Sequence, residues 1–83
     1  MPARILVADD NPIVRTTLRM LLEGIGHSGI IEAENGRDAV SKTLELRPDL
    51  VILDFAMPVL DGLNAAREIS QHLPKTPLLM YSM

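Results

Sequence analysis

Three carboxylates stand where short apolar runs end: Asp9 and Asp10 close Ile5-Leu-Val-Ala8, and Asp54 closes Leu50-Val-Ile-Leu53. A single Asp at such a place is an ordinary solvating or turn residue. Asp residues ending two runs that lie side by side would repel one another, and relief comes from partial protonation or from a divalent cation with oxygen ligands. Mg²⁺ suits the set, because it takes near-octahedral oxygen ligands and keeps part of its water. Asp carboxylates, a backbone carbonyl and water would leave room for a phosphoryl oxygen. An Asp can also attack phosphorus and carry the group as an acyl phosphate. Asp54, alone at its strand's end, is the candidate nucleophile.

The elements around these residues must bring them together. Arg4 to Ala8 is a continuous apolar run of the kind buried on both faces of a sheet, a first strand. Asn11 and Pro12 open a helix with Val14, Leu18, Leu21, Leu22 and Ile25 as its inward stripe, ended by Gly24 and Gly26. Ile30, Ile31 and Ala33 give a second strand. Asn35-Gly36 then turns into a helix whose Ala39, Val40, Thr43 and Leu44 share a face as far as Pro48. Leu50 to Leu53 is the third strand. The stretch Phe55 to Leu60 contains Met57-Pro58 and is irregular, and Asp61 caps a helix with Leu63, Ala66, Ile69 and Leu73 inward. Past Pro74 and Pro77, Leu78 to Ser82 form a fourth strand, and Gly36 and Gly62 read as turn glycines. Strands alternating with helices imply right-handed crossovers and a parallel sheet, an α/β fold with helices on both faces. Ligands of such sheets bind beyond the C-terminal strand ends where the winding reverses, which places Asp9, Asp10 and Asp54 at one crevice.

Composition narrows the function. The 83 residues, 47% hydrophobic and 23% charged, suit one small globular domain over 1–83 and leave no room for a cleft between domains. A net charge of −3 argues against direct nucleic acid binding, which needs clustered Lys and Arg. The absence of Cys removes disulfides and Cys-based zinc sites. The N-terminal apolar run meets Asp9 too soon for a signal peptide, and no run is long enough for a membrane span, so a cytoplasmic protein is expected. His72 is followed by Pro74, which breaks its helix, and His27 has no metal-spaced companion; neither is a candidate for chemistry.

Ile5-Leu-Val-Ala-Asp9-Asp10-Asn-Pro, then Pro48-Asp-Leu-Val-Ile-Leu-Asp54-Phe-Ala-Met57-Pro58-Val-Leu-Asp61-Gly62, then Ser82 ending the fourth run, resemble the receiver domain of bacterial two-component response regulators. The resemblance implies a flavodoxin-like doubly wound parallel sheet with strand order 2-1-3-4. It also implies that 1–83 is a C-terminally truncated receiver with four strands and three helices, lacking the fourth helix, fifth strand and fifth helix. Asp54 would accept a phosphoryl group from a sensor histidine kinase. Asp10 directly and Asp9 partly through water would hold Mg²⁺ with the Ala56 carbonyl, and Ser82 would be the switch hydroxyl. The family's active-site Lys lies on the fifth strand, and Lys42 and Lys75, the chain's lysines, both precede the fourth. Tyr81 stands on the wrong strand to replace the family's switch aromatic, and Met83 is larger than the residue that usually follows the hydroxyl. The expected function is a phospho-accepting switch rather than an enzyme; the alternative is a non-switching interaction or dimerisation fragment. An exposed fourth strand would favour a homodimer, formed through that strand or by exchanged elements.

Overall fold

The structure, a computed structural model, describes residues 3–82; Met83, whose size bore on Ser82, lies outside them. The elements are β1 (Ile5–Ala8), α1 (Pro12–Gly24), β2 (Ile31–Ala33), α2 (Gly36–Leu46), β3 (Leu50–Asp54), α3 (Gly62–His72) and β4 (Leu78–Tyr81). All strand pairs are parallel and the order is β2-β1-β3-β4, the flavodoxin-like arrangement that the motifs imply. The winding direction reverses between β1 and β3, whose C-terminal ends carry the acidic residues. Ser82 falls one residue past β4.

Because successive strand residues point to opposite faces, the central strands β1 and β3 serve two cores. Leu6, Ala8, Val51 and Leu53 face α2 and α3 and pack with Ala33, Ala39, Val40, Ala65 and Ile69. Ile5, Val7 and Ile52 face α1 and meet Leu18, Leu22 and the Tyr81 ring. The two cores differ in depth. Within α1 no residue is fully buried, and Leu21 and Ile25, expected inward, are 63% and 74% exposed. Leu18 and Leu22, four residues apart, rest on the sheet, and Val14, one turn earlier, lines a groove beside Tyr81; Leu21 and Ile25 lie on a neighbouring row that no described element covers. In α3, Leu63 points outward, while the unforeseen Ala65 joins Ala66 and Ile69 in the core; small residues let this helix sit close to the sheet.

Each helix starts on a side-chain cap. Asn11 Oδ1 accepts from the Ile13 and Val14 N–H groups at 2.9 and 3.4 Å, Asn35 from Asp38 N–H at 2.7 Å, and Asp61 from Asn64 N–H at 2.8 Å. Gly36 and Gly62 are close-approach residues rather than turn glycines. A Cβ on Gly36 would come within 1.7 Å of the Leu60 carbonyl oxygen, and one on Gly62 within 2.2 Å of the Asp54 carbonyl oxygen. The start of α3 is thereby pressed against the end of β3, and Gly62 N–H donates to the Phe55 carbonyl at 2.9 Å.

Candidate functional site

Asp9 follows β1 directly and is 2% exposed. Its backbone N–H donates to the Ala33 carbonyl at 3.1 Å, extending the β1–β2 pairing by one residue. Its carboxylate is held at both oxygens: Oδ1 accepts from Asn11 N–H at 2.8 Å and Oδ2 from the Tyr81 hydroxyl. Asp10 is exposed. Asp54 ends β3, is 8% exposed, and its Oδ1 accepts from Ala56 N–H at 3.3 Å. One carboxylate oxygen from each of Asp9, Asp10 and Asp54 lies within 4.8 Å of the other two, so the strand ends do gather the acidic trio. Ala56 is exposed in the loop after β3. Ser82 is exposed beyond Tyr81, the residue paired in register with Asp54.

The loop that shapes this crevice is fixed from below. Met57 is buried among the α2–α3 core residues, Leu60 N–H donates to the Pro58 carbonyl at 2.7 Å, and Phe55 N–H donates to the Tyr81 carbonyl at 2.9 Å. Val59, with φ of 69°, carries a left-handed backbone that a β-branched residue rarely adopts. The cation on the first helical turns after the acidic pair is already engaged: the Arg15 guanidinium donates to the Asp9 carbonyl at 2.7 Å and to Glu32 at 3.0 Å.

Burial pushes the Asp54 carboxyl above the usual carboxylate range; the Ala56 and Phe55 N–H groups oppose the shift, and the charges of Asp9 and Asp10 add to it. Burial likewise raises the Tyr81 phenol, joined by its hydrogen bond to Asp9 and by the three carboxylates. Hard oxygen donors with unrelieved like charge are what a divalent cation such as Mg²⁺ requires, so the residues fit the ion that the sequence suggests.

A profile of the response regulator receiver domain matches residues 5–83. The chain belongs to this family. It is 45% identical over 83 residues to a protein-glutamate methylesterase/protein-glutamine glutaminase of Pseudoalteromonas translucida, aligning 99% of itself with 21% of that protein. Among solved structures it is similar to the response regulator domain of Thermotoga maritima CheB, with a TM-score of 0.87, 32% identity, and 99% of this chain against 61% of that one. It is also similar to the receiver domain of a Pseudomonas aeruginosa sensor histidine kinase, whose structure has a magnesium ion coordinated in its active-site cleft. There the TM-score is 0.90 with 29% identity, and 96% of this chain covers 66% of the other. The receiver described here thus spans about a fifth of the length of the curated relatives it matches. Those relatives correct one expectation. Proteins that match this receiver at 39 to 45% identity are enzymes, so a switch that is not an enzyme is the wrong description; the match covers only their receiver portion. Among the described residues no helix is long and apolar enough to cross a membrane.

The hydrogen bond from the Tyr81 hydroxyl to Asp9 is the contact within the acidic site that sequence reading missed. Strand alternation explains the contact once the β3–β4 register is known: Asp9 continues the Ile5, Val7 face of β1, Asp54 shares a face with Ile52, and Tyr81 pairs with Asp54. All three therefore project toward α1 at the same level of the sheet.

Proposed function

We propose that residues 1–83 act as one receiver unit in which Asp54 takes a phosphoryl group from the phosphohistidine of a sensor kinase. The observation that carries this is the convergence of Asp9, Asp10 and Asp54 oxygens within 4.8 Å at the C-terminal sheet edge. Asp9, Asp10, Asp54 and the Ala56 carbonyl would hold Mg²⁺. The ion, when bound, screens the charge that collects between donor and acceptor. A carboxylate oxygen of Asp54 forms the new bond to phosphorus, the P–N bond to the donor imidazole breaks, and the released ring nitrogen takes a proton from water. The product is an acyl phosphate on Asp54. The Ser82 hydroxyl, exposed past β4, would donate to an incoming phosphoryl oxygen and so couple the modification to a shift of the backbone at the end of β4.

Incubation with acetyl phosphate and Mg²⁺ followed by mass spectrometry tests this. A gain of one phosphoryl group that Asp54→Asn abolishes is the expected result, and an unchanged mass with Mg²⁺ bound overturns the reading. We place the receiver in the cytoplasm with its kinase. As a further partner we assign a second copy, joined along β4, one of the two edge strands of the described sheet, where Leu79 is 55% exposed. Light scattering that finds only monomer at high concentration removes that pairing.

The 45% identity to methylesterases favours a second reading at the level of a longer protein, in which phosphorylation of this receiver controls glutamate methyl-ester hydrolysis by an adjoining unit. Ester hydrolysis by the natural gene product that is insensitive to acetyl phosphate would remove it.

A further inference from the structure

The row formed by Asp9, Asp54 and Tyr81 runs across three adjacent strands, β1, β3 and β4. From the far side of that row the Tyr81 side chain passes Asp54 and donates its hydroxyl hydrogen to Asp9 Oδ2. The ring is anchored on its way, packed with Ile5, Val7 and Ile52 and flanked across the α1 groove by Val14 and Leu18. With Asn11 N–H on Oδ1, this leaves Asp9 a carboxylate fixed at both oxygens, buried, and aimed at Asp10 and Asp54.

We propose that Tyr81 is a positioning residue for the cation site: its hydroxyl, set in place by the apolar ring contacts, orients Asp9 as a ligand. The inference rests on the reading of the acidic trio as a Mg²⁺ site and adds to it a residue that does not itself touch the ion. Groups that hydrogen-bond a ligating side chain fix its orientation before the ion arrives, and their removal weakens metal affinity by about 10- to 100-fold. Tyr81→Phe keeps the ring and its packing and removes only the hydroxyl.

Calorimetric titration of the chain with Mg²⁺ supplies the test, with Tyr81→Phe and Asp9→Asn beside the unaltered sequence and thermal melts in chelator as the control on folding. The expected result is a loss of about ten-fold or more in Mg²⁺ affinity for Tyr81→Phe, with a melting temperature in chelator close to that of the parent. Unchanged or tighter binding overturns the proposal. A second readout needs no variant. Tyr81 is the sole tyrosine and the chain has no tryptophan, so its ultraviolet emission, quenched by a hydrogen-bonded carboxylate, reports directly on Asp9. Emission should change over the same Mg²⁺ range as the heat signal; heat without a change in emission also overturns the proposal. If the unaltered chain binds no Mg²⁺, the underlying metal reading fails, and this outcome is distinct from loss of the Tyr81 effect alone.

Discussion

At the level of single residues, Asp54 is placed at a cost. Its carboxyl is pushed upward chiefly by burial, so the folded state prefers it protonated relative to the unfolded chain. The stability associated with this group is therefore fully present in acid, below the ordinary Asp range, and is lost as pH rises through the raised value. Without divalent cations, Asp54→Asn should raise the melting temperature at neutral pH by a few degrees, with the gain vanishing as pH falls through the carboxylate range. Thermal melts of both proteins across pH in chelator measure this, and an equal difference at every pH would show that the charge is not its source. The three aspartates were legible from sequence because each stops an apolar run. Tyr81 was not, since its role depends on the register of β4 against β3, and a run of Leu, Leu, Met and Tyr fixes no register by itself.

Among the elements, the joint between β3 and α3 does most to set the site. Gly62 lets the first turn of α3 touch the Asp54 and Phe55 backbone, so a methyl group there must push the two apart. Gly62→Ala is expected to lower stability by about 1–3 kcal/mol and to weaken Mg²⁺ binding at the same time. Urea unfolding with a parallel metal titration checks both, and a stability loss without any loss of binding would separate the joint from the site. The α1 cap is a milder case. Asn11→Ala removes the acceptor of the Ile13 and Val14 N–H groups and should cost about 1 kcal/mol while sparing the Asn11 backbone N–H that holds Asp9. Element order and the caps Asn11 and Asp61 could be read from the chain because caps and breakers are local chemistry. The inward assignments of Leu21, Ile25 and Leu63 failed because periodicity names an apolar stripe without saying how much of it finds a partner.

For the whole molecule, a Cα radius of gyration of 11.5 Å is near the ~12 Å typical of a folded domain of this length, although one face of the sheet is thinly covered. The stability of so small a core is sensitive to ligand. Mg²⁺ at a hundred times its dissociation constant should add about 2.7 kcal/mol to the unfolding free energy. EDTA should reverse that gain and Asp9→Asn should prevent it; a melting temperature indifferent to Mg²⁺ would contradict a specific site. The shallow seating of α1, with Leu21 and Ile25 in water, carries a consequence for motion. Amide protons of α1 should exchange with deuterium through a local opening far cheaper than global unfolding, while those of β1 and β3 wait for the entire sheet to open. Since Asp10 and Asn11 lead into that helix, the acidic end of the crevice is joined to the part of the chain that detaches first.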